Sequence, residues 1–190
     1  KWGCIDKTGK EIIPVEYKEI SEFSDDLLKA EDSYSRYHII DKAGKIIATY
    51  TEIGEFSEGL ARVESGYKWG YIDKTGKVVI PVEYNRAEDF SGGFARVAND
   101  NIGYSWGIID KTGTPVLPFE YNEKKITSMS PSEFIQKEIQ RKAEIETFTE
   151  EIEAVLDNDY YSDESHSVEV LTELIDKLKK LIDNSSDKEK

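Results

Sequence analysis

Residues 68–97 read KWGYIDKTGKVVIPVEYNRAEDFSGGFARV, and the same pattern returns along the first two thirds of the chain. Copies without gaps begin at Lys1 (KWGCIDKTGKEIIPVEYKEISEFSDDLLKA) and at Ser105 (SWGIIDKTGTPVLPFEYN). Between them, from Arg36, lies a degenerate copy with Tyr-His in place of Trp-Gly and two residues missing where the others have Pro-Val-Glu or its equivalent. The Trp-equivalent positions are 32 to 37 residues apart, a period that indicates one supersecondary unit per repeat.

Each copy has the pattern of antiparallel β-strands. An Asp is followed three residues later by Gly, which predicts a three-residue hairpin loop whose Gly adopts positive φ in a bulge. These pairs are Asp6/Gly9, Asp41/Gly44, Asp73/Gly76 and Asp110/Gly113. FARV-type segments upstream alternate apolar and polar residues, so each repeat is predicted to be a three-stranded meander. The Pro of the third strand cannot donate to a β-ladder and marks the end of the strand or an edge position.

Composition restricts the class of partner. The 190 residues are 38% apolar and 34% charged, with a net charge of −14. No apolar run approaches the roughly 20 residues that span a bilayer. The negative charge argues against nucleic acid and anionic membranes, which both need a basic face, and favours a neutral or basic protein surface. The single Cys4 excludes an internal disulfide and is predicted to be a structural strand residue.

After about Thr127 the pattern becomes helical. SPSE from Ser130 predicts a capping box with Pro at the first helical position. Apolar residues then recur at three- and four-residue spacings to about Leu156, and again over 168–182. We therefore predict a mainly β fold with some α: tandem three-stranded repeats in an open elongated array, then a C-terminal helical hairpin. The predicted boundaries are 1–127 for the array, with repeats 1–35, 36–67, 68–104 and 105–127, then 128–183 for the hairpin and 184–190 for a disordered tail.

With these motifs, the chain resembles the WG-repeat (KWG-repeat) family. The resemblance covers the first two thirds in several copies and implies an all-β tandem array, common in bacterial proteins, with binding or scaffolding as the expected role. It implies no catalytic residues. The second copy departs from the pattern because it lacks Trp, Gly and Pro, and the helical end lies outside it. Because Lys1 begins inside the Trp strand, we expect the chain to be the C-terminal part of a longer array capped by the helices.

A closed propeller is the alternative architecture. Three and a half three-stranded units are too few to close a ring of four-stranded blades, so we favour the open array.

The repeated aromatic residues are the first candidate binding surface. They are Trp2, Trp69, Trp106, Tyr17, Tyr84 and Tyr121. Rings at repeat spacing would suit sugars or peptides that are themselves repetitive. The alternative, which we favour, is packing between repeats, with the Gly after each Trp letting the next backbone approach the indole face. Indoles exposed along one side would favour binding, and indoles covered by the next repeat would count against it.

The predicted helical hairpin is the second candidate surface. Its first helix would be about 40 Å long at 1.5 Å per residue, longer than one repeat requires. Part of its apolar stripe would then be left for the second helix or for a partner protein. The alternative is that the helices only cap the end of the array. The candidate partner-binding residues here are Phe148, Ile152, Leu174 and Leu178.

The remaining motifs do not reach a pattern typical of catalysis or metal binding. The Asp-Lys-Thr-Gly turns lack the alternating carboxylates of a calcium loop and the ending of a P-loop. The acidic segment DNDYYSDESHS, residues 157–167, lacks the sixth-position Gly and twelfth-position ligand of an EF-hand, so a solvated loop is predicted. Neither His38 nor His166 has a partner constellation in the sequence pattern. We predict no catalytic residue, no metal, no cofactor and no enzyme.

The sequence therefore predicts a non-enzymatic protein-binding or scaffolding repeat module of a bacterial protein. Carbohydrate or cell-wall binding through the repeated aromatics is one alternative. A regulatory C-terminal segment of a larger enzyme is another. The expected partner is a protein, with a glycan less favoured and with nucleic acid and membranes not expected.

Overall fold

The computed structural model of the chain describes residues 1–99, 105–158 and 164–183. Within these ranges it contains fourteen strands and three helices. The strands are β1 Trp2–Ile5, β2 Glu11–Tyr17, β3 Glu19–Ser24, β4 Leu27–Glu31, β5 Tyr37–Asp41, β6 Ile46–Tyr50, β7 Glu52–Ile53, β8 Leu60–Ser65, β9 Lys68–Asp73, β10 Val78–Tyr84, β11 Arg86–Ala87, β12 Phe94–Asn99, β13 Ser105–Asp110 and β14 Pro115–Tyr121. The helices are α1 Glu123–Ile126, α2 Pro131–Asn158 and α3 Glu164–Asp183.

The strands form four antiparallel sheets that follow one another along the chain. The first sheet is β1-β2, the second β3 to β6, the third β7 to β10 and the fourth β11 to β14. The predicted tandem meander is confirmed, but each complete sheet has four strands, one more than predicted. The additional strand is the first of each sheet, β3, β7 or β11. β3 has six residues, whereas β7 and β11 have two each, too few to show an alternation of apolar and polar residues in the sequence.

Each of the first three sequence repeats contributes strands to two successive sheets. The repeat 36–67 supplies β5 and β6 to the second sheet and β7 and β8 to the third. The repeat 68–104 likewise supplies β9 and β10 to the third sheet and β11 and β12 to the fourth. The boundaries between sequence repeats consequently fall inside the sheets, and neighbouring sheets are linked by one continuous repeat.

The hydrophobic core of the array lies between successive sheets. Ile13 and Tyr17 of the first sheet pack with Ala30 and Ile40 of the second, and the free, half-buried Cys4 packs against them. The second and third sheets share the cluster Phe23, Leu27, Ile39, Tyr50, Ile53, Ala61, Val63 and Ile72. The third and fourth share Leu60, Tyr71, Ile80, Tyr84, Ala87, Phe90, Ala95, Val97 and Ile109. Each sheet therefore depends on its neighbours for burial, as expected of an open repeat array.

The predicted hairpin turns are present in all four copies. Their Gly residues have φ between 81° and 86°, and each donates its N–H to the carbonyl of the Asp three residues earlier, at 2.9 or 3.0 Å. The Asp side chain accepts from the N–H groups two and four residues later, which closes an Asx turn. In three of the turns a Thr hydroxyl also donates to the carboxylate, and this hydrogen bond lowers the pKa of the Asp below its ordinary value. The three residues are Asp6, Asp73 and Asp110.

The chain divides into two compact units, Lys1–Glu133 and Phe134–Lys190. At the end of the first unit the predicted capping box is present: the N–H of Ser130 donates to Oε2 of Glu133 at 2.9 Å, and the N–H of Glu133 donates to Oγ of Ser130 at 3.3 Å. The single-turn helix α1, which precedes it, was not predicted.

The second unit contains most of α2, which has 28 residues in all, and α3, which has 20. In α2 the buried carboxylate of Glu138 accepts from Nε and Nη2 of Arg141 at 2.9 and 2.8 Å. Residues 159–163, which would link the predicted hairpin and which hold part of the acidic segment, lie outside the described residues. So do residues 184–190, the predicted disordered tail. Among the helices that the structure describes, none combines the length and apolar character that crossing a membrane requires.

Candidate functional site

The Gly of a Trp-Gly pair lies opposite a bulge in the neighbouring strand of its own sheet. In the third sheet, Gly70 of β9 faces the three residues 81–83 of β10, which fold over it. A Cβ on Gly70 would lie 2.6 Å from the carbonyl oxygen of Ile80 and 2.7 Å from that of Pro81. These distances are too short for any side chain, so glycine is required at this position.

The other copies show that the Gly and the bulge occur together. In the first and fourth sheets, a Cβ on Gly3 or Gly107 would lie 2.6 or 3.0 Å from a carbonyl oxygen of the adjacent strand. In the second sheet, β6 is two residues shorter than β10 and has no bulge at this point, and His38 at the Gly position pairs directly with Thr49. The prediction that the Gly admits the backbone of the next repeat is therefore wrong, because the approaching backbone belongs to the same sheet.

Pro14, Pro81 and Pro118 begin these bulges. They lie inside β2, β10 and β14 and not at the strand ends, so that part of the prediction is wrong. All three strands are at sheet edges, as the alternative prediction held. A missing N–H is tolerated there, and Pro together with a bulge hinders pairing of the edge with another strand.

The three tryptophans lie in different environments. Trp2, on a strand of the two-stranded sheet, is 63% exposed, whereas Trp106 is only 5% exposed. Trp69 is half-buried, packs against the cluster between the third and fourth sheets, and has the guanidinium of Arg62 5.2 Å from its ring centroid. The indoles therefore do not form one uniform exposed row.

The tyrosines predicted with them, Tyr17, Tyr84 and Tyr121, are buried. Burial raises the pKa of Tyr17 and Tyr84 above its ordinary value. Tyr84 stacks on Phe119 with ring centroids 6.2 Å apart. The phenol rings thus contribute to packing within and between sheets and have little surface left for a ligand.

The helical candidates lie in pairs one turn apart. Phe148 and Ile152 are half-buried on α2, and on α3 Leu174 is buried while Leu178 is half-buried. On α3, Val168, Ile175 and Ile182 are more exposed than any of these four residues.

His38 takes part in a polar network that the sequence pattern did not indicate. Its ring is buried, with Nδ1 2.8 Å from Oγ1 of Thr49 and Nε2 3.2 Å from Oδ2 of Asp32. An ionised carboxylate can only accept, so Nε2 donates to Asp32, and in a neutral ring Nδ1 accepts from the hydroxyl of Thr49. The prediction that His38 has no partner constellation is wrong. The network satisfies a polar ring that occupies the place of the Gly in the other copies.

Asp32 is the carboxyl of this network, and its pKa is strongly shifted. Desolvation by itself would raise its pKa, but hydrogen bonds from the backbone and side chain of Arg36, from His38 and from the N–H of Tyr34 lower the pKa far below its ordinary value. The contact with the Arg36 guanidinium is 2.7 Å. The carboxylate is thus held in its ionised form by the loop between β4 and β5.

Asp32→Asn is expected to destabilise the protein near neutral pH and to lose much of this effect in acid. A lowered folded-state pKa stabilises the folded chain fully above the unfolded value of about 4, and this contribution is lost as the pH falls through the folded-state pKa. Urea unfolding of both proteins at about pH 7 and in steps down to about pH 2.5 should show their free energies converging.

The matched control is Asp26→Asn, which removes an exposed carboxylate paired with Lys42 at 2.7 Å. Surface ion pairs of this kind contribute little to stability. A gap between wild type and Asp32→Asn that did not change with pH would contradict the role given to the carboxylate charge.

Each complete sheet exposes β-branched residues at the start of its last strand. We call these residues the edge row: Ile46, Ile47, Val78, Val79 and Val116. Between 37% and 46% of each is exposed. One member per sheet, Ile47, Val79 or Val116, is the extra residue of a second bulge that follows the hairpin turn. The sequence analysis placed the edge row in strands but gave it no function. A signal was present, since adjacent β-branched residues after a turn break the alternation of apolar and polar residues expected of a half-buried strand.

Within the parts of the chain that the structure describes, no three His, Cys, Asp or Glu side chains form a group that could hold a metal ion.

The family comparison finds four repeats in the first two thirds of the chain. The family model for the WG containing repeat matches residues 2–31, 39–69, 69–101 and 106–128. The second match begins directly after His38, the residue that replaces the Gly. A comparison with curated proteins gives no significant match. Because the four matches cover more than half of the chain and each contains the hairpin turn, the chain belongs to the family of proteins built from the WG containing repeat.

Proposed function

We propose that this chain is a non-enzymatic repeat module that binds another protein through the edge row. The observation that carries the proposal is the exposure of aliphatic residues at an equivalent edge-strand position in three successive sheets. Exposed aliphatic residues on sheet edges are a liability unless a partner covers them. In the edge strands β10 and β14, Pro and a bulge hinder pairing of the second half of the strand. The edge row lies in the first half, before the Pro.

A protein partner suits this surface better than a glycan. Sugars are held mainly by exposed aromatic faces, yet Trp106, Tyr84 and Tyr121 are buried and Arg62 covers part of Trp69. The edge row offers aliphatic side chains beside the backbone of an edge strand, which suits an extended segment or a protein surface. The net charge of −14 favours a partner with basic residues around its apolar contacts.

Scaffolding follows from the repetition of the site. A partner that contacts the edge row in two or three sheets gains affinity, because the second contact is intramolecular once the first has formed. The Asp32–His38–Thr49 network has a structural explanation, since it fills the position of a Gly and a bulge, so we assign it no reaction.

The test uses a photoreactive amino acid at Val79 to crosslink the partner in cells of the source organism. Partners are then identified by mass spectrometry, purified and measured for affinity. The triple variant Ile47→Thr, Val79→Thr and Val116→Thr keeps β-branched side chains but removes their apolar surface. We expect it to weaken binding at least about tenfold, a loss of ~1.4 kcal/mol spread over three contacts.

The matched control places the photoreactive residue at Tyr67 and, in a second variant, replaces Tyr67 by Asn, which tolerates the positive φ of 63° at this position. Tyr67 is 88% exposed in the turn before β9 and lies outside the edge row. Crosslinks that are equally strong from position 67, or a triple variant that binds the purified partner as tightly as the wild type, would refute the proposed surface.

A further inference from the structure

We infer that a cavity between the second and third sheets binds an arginine side chain of a partner protein. The cavity has a volume of about 340 Å³, which is within the range of sites that hold small ligands. Strands β3, β4 and β5 line it, and Glu55, in the loop after β7, lines it from the third sheet. This surface is distinct from the edge row, and the inference does not depend on the edge row.

The cavity carries more negative than positive charge. Four carboxylates line it, those of Glu19, Glu22, Glu31 and Glu55, beside the single cation Lys29. Lys29 pairs with Glu55 at 3.1 Å, and Lys18, outside the lining, pairs with Glu31 at 2.9 Å. Within the part of the chain that the structure describes, Glu19 and Glu22 have no ion-pair partner, so two carboxylates remain for an incoming cation.

The next interface along the array shows how such a place holds a guanidinium. Between the third and fourth sheets, the guanidinium of Arg62 lies over the ring of Trp69, 5.2 Å from its centroid. Its Nη1 donates to the carbonyl of Ala87 at 3.1 Å, and its Nε is 3.2 Å from Oδ1 of Asp89. An aromatic face, a carboxylate and a carbonyl thus surround one planar cation.

The cavity occupies the equivalent place one interface earlier. Residues 19–31, EISEFSDDLLKAE, align without a gap with residues 52–64, EIGEFSEGLARVE. The equivalent pairs are Lys29 and Arg62, Tyr37 and Trp69, and Glu55 and Asp89. The aromatic ring and the carboxylate of the guanidinium site are therefore both present at the cavity, whereas a lysine replaces the arginine.

A second substitution separates the two places. A Cβ on Gly54 would lie 2.8 Å from Cγ of Arg62, so the arginine passes where a side chain at position 54 would be. Ser21, at the equivalent position, has such a side chain and lines the cavity. The ammonium of Lys29 reaches Glu55 and leaves the space beside Tyr37 open. A guanidinium supplied from outside would restore the contacts that Arg62 makes in the next interface.

An arginine within a polypeptide suits the cavity better than the free amino acid. Free arginine carries an α-carboxylate, which the carboxylates of the cavity would repel. In a polypeptide this group is a neutral amide, and the side chain carries the only charge. Arginine is favoured over lysine because its guanidinium is planar, stacks on aromatic faces and donates to two acceptors at once.

The first experiment titrates the full chain with the amide of N-acetyl-arginine and follows its backbone amide signals by NMR. We expect saturable shifts centred on Ser21, Lys29 and Tyr37. The amide of N-acetyl-lysine and free arginine should each bind about threefold more weakly, or weaker still. Equal binding of the lysine amide, or shifts that never saturate, would overturn the inference, since both indicate general attraction of cations to an acidic surface. Equal binding of free arginine would overturn the assignment to a polypeptide.

The second experiment fills the cavity from within. Ser21→Gly/Lys29→Arg reproduces the residues of the next interface and leaves the net charge unchanged. The new guanidinium should lie over Tyr37 and compete intramolecularly, so the affinity for the arginine amide should fall at least about tenfold. The matched control, Lys42→Arg, makes the same exchange at a lysine whose side chain is 71% exposed and which lies outside the lining. It should bind like the wild type.

A third variant, Glu19→Gln/Glu22→Gln, changes two exposed residues and does not depend on repacking of the cavity. It removes the two unpaired carboxylates and should weaken binding of the arginine amide about fivefold. Circular dichroism shows whether each variant keeps the wild-type fold. Wild-type affinity in this variant, or in a folded Ser21→Gly/Lys29→Arg protein, would overturn the inference.

Discussion

Gly70→Ala is expected to lower the free energy of unfolding by about 3 kcal/mol, a large effect for one added methyl group. The new Cβ would lie 2.6 Å from a carbonyl oxygen of β10, in a backbone that is held by the bulge at 81–83. Backbone atoms cannot move aside as the end of a flexible side chain can, so β9 and β10 must separate. Urea unfolding followed by circular dichroism measures the loss.

Two controls separate the clash from a general intolerance of side chains at this position. His38→Ala retains a Cβ at the equivalent position of the second sheet, where the bulge is absent, and should cost only about 1 kcal/mol for the hydrogen bonds it removes. Removing Pro81 and Val82 makes β10 as short as β6. In that shortened background, the additional cost of Gly70→Ala should fall below about 1 kcal/mol.

A cost of Gly70→Ala that stayed near 3 kcal/mol in the shortened background would show that the bulge is not the reason for the glycine. A cost that falls in the shortened background would instead explain the degenerate second copy. A repeat that loses two residues from its third strand is free to lose its glycine as well, and the second copy has lost both.

The sequence predicted the parts of the fold that depend on local chemistry. The four turns, the alternation of FARV-type strands and the capping box at Ser130 all act over two to four residues, so their residues are visible in one copy. The first strand of each complete sheet, β3, β7 or β11, escaped prediction. For the two-residue strands β7 and β11, the pairing is set by the neighbouring strand and not by their own composition.

The candidate sites were less accessible to sequence reasoning, for a related reason. Whether Trp2 or Trp106 is exposed depends on which strands lie beside it, and the two residues look alike in the sequence. His38 was judged by its near neighbours, yet its partners Asp32 and Thr49 come from a loop and from the next strand. The pairing of Gly with an extra Pro-x-Glu segment was readable, since one copy lacks both.

Trp106→Ala is expected to destabilise the protein by about 3 to 5 kcal/mol, whereas Trp2→Ala should cost less than about 1 kcal/mol. The residues occupy the same position in two repeats, so the substitution is chemically identical. Trp106 is 5% exposed and lies between Ala98 of β12 and Tyr121 of β14, so its removal leaves a large cavity. Trp2 is 63% exposed and pairs with Tyr17 on one side.

Chemical denaturation of both variants and of the wild type measures this difference. Equal losses would mean that the indole stabilises each repeat by its contact with the Tyr of its own hairpin, because that contact is common to both positions. The expected inequality would mean that stability comes from strands on both sides of the indole, so that the same Trp-Gly motif packs in one sheet and remains open to solvent in another. An indole packed between strands, as that of Trp106 is, has little face left for a ligand, so the periodic spacing of the tryptophans would carry no information about a ligand.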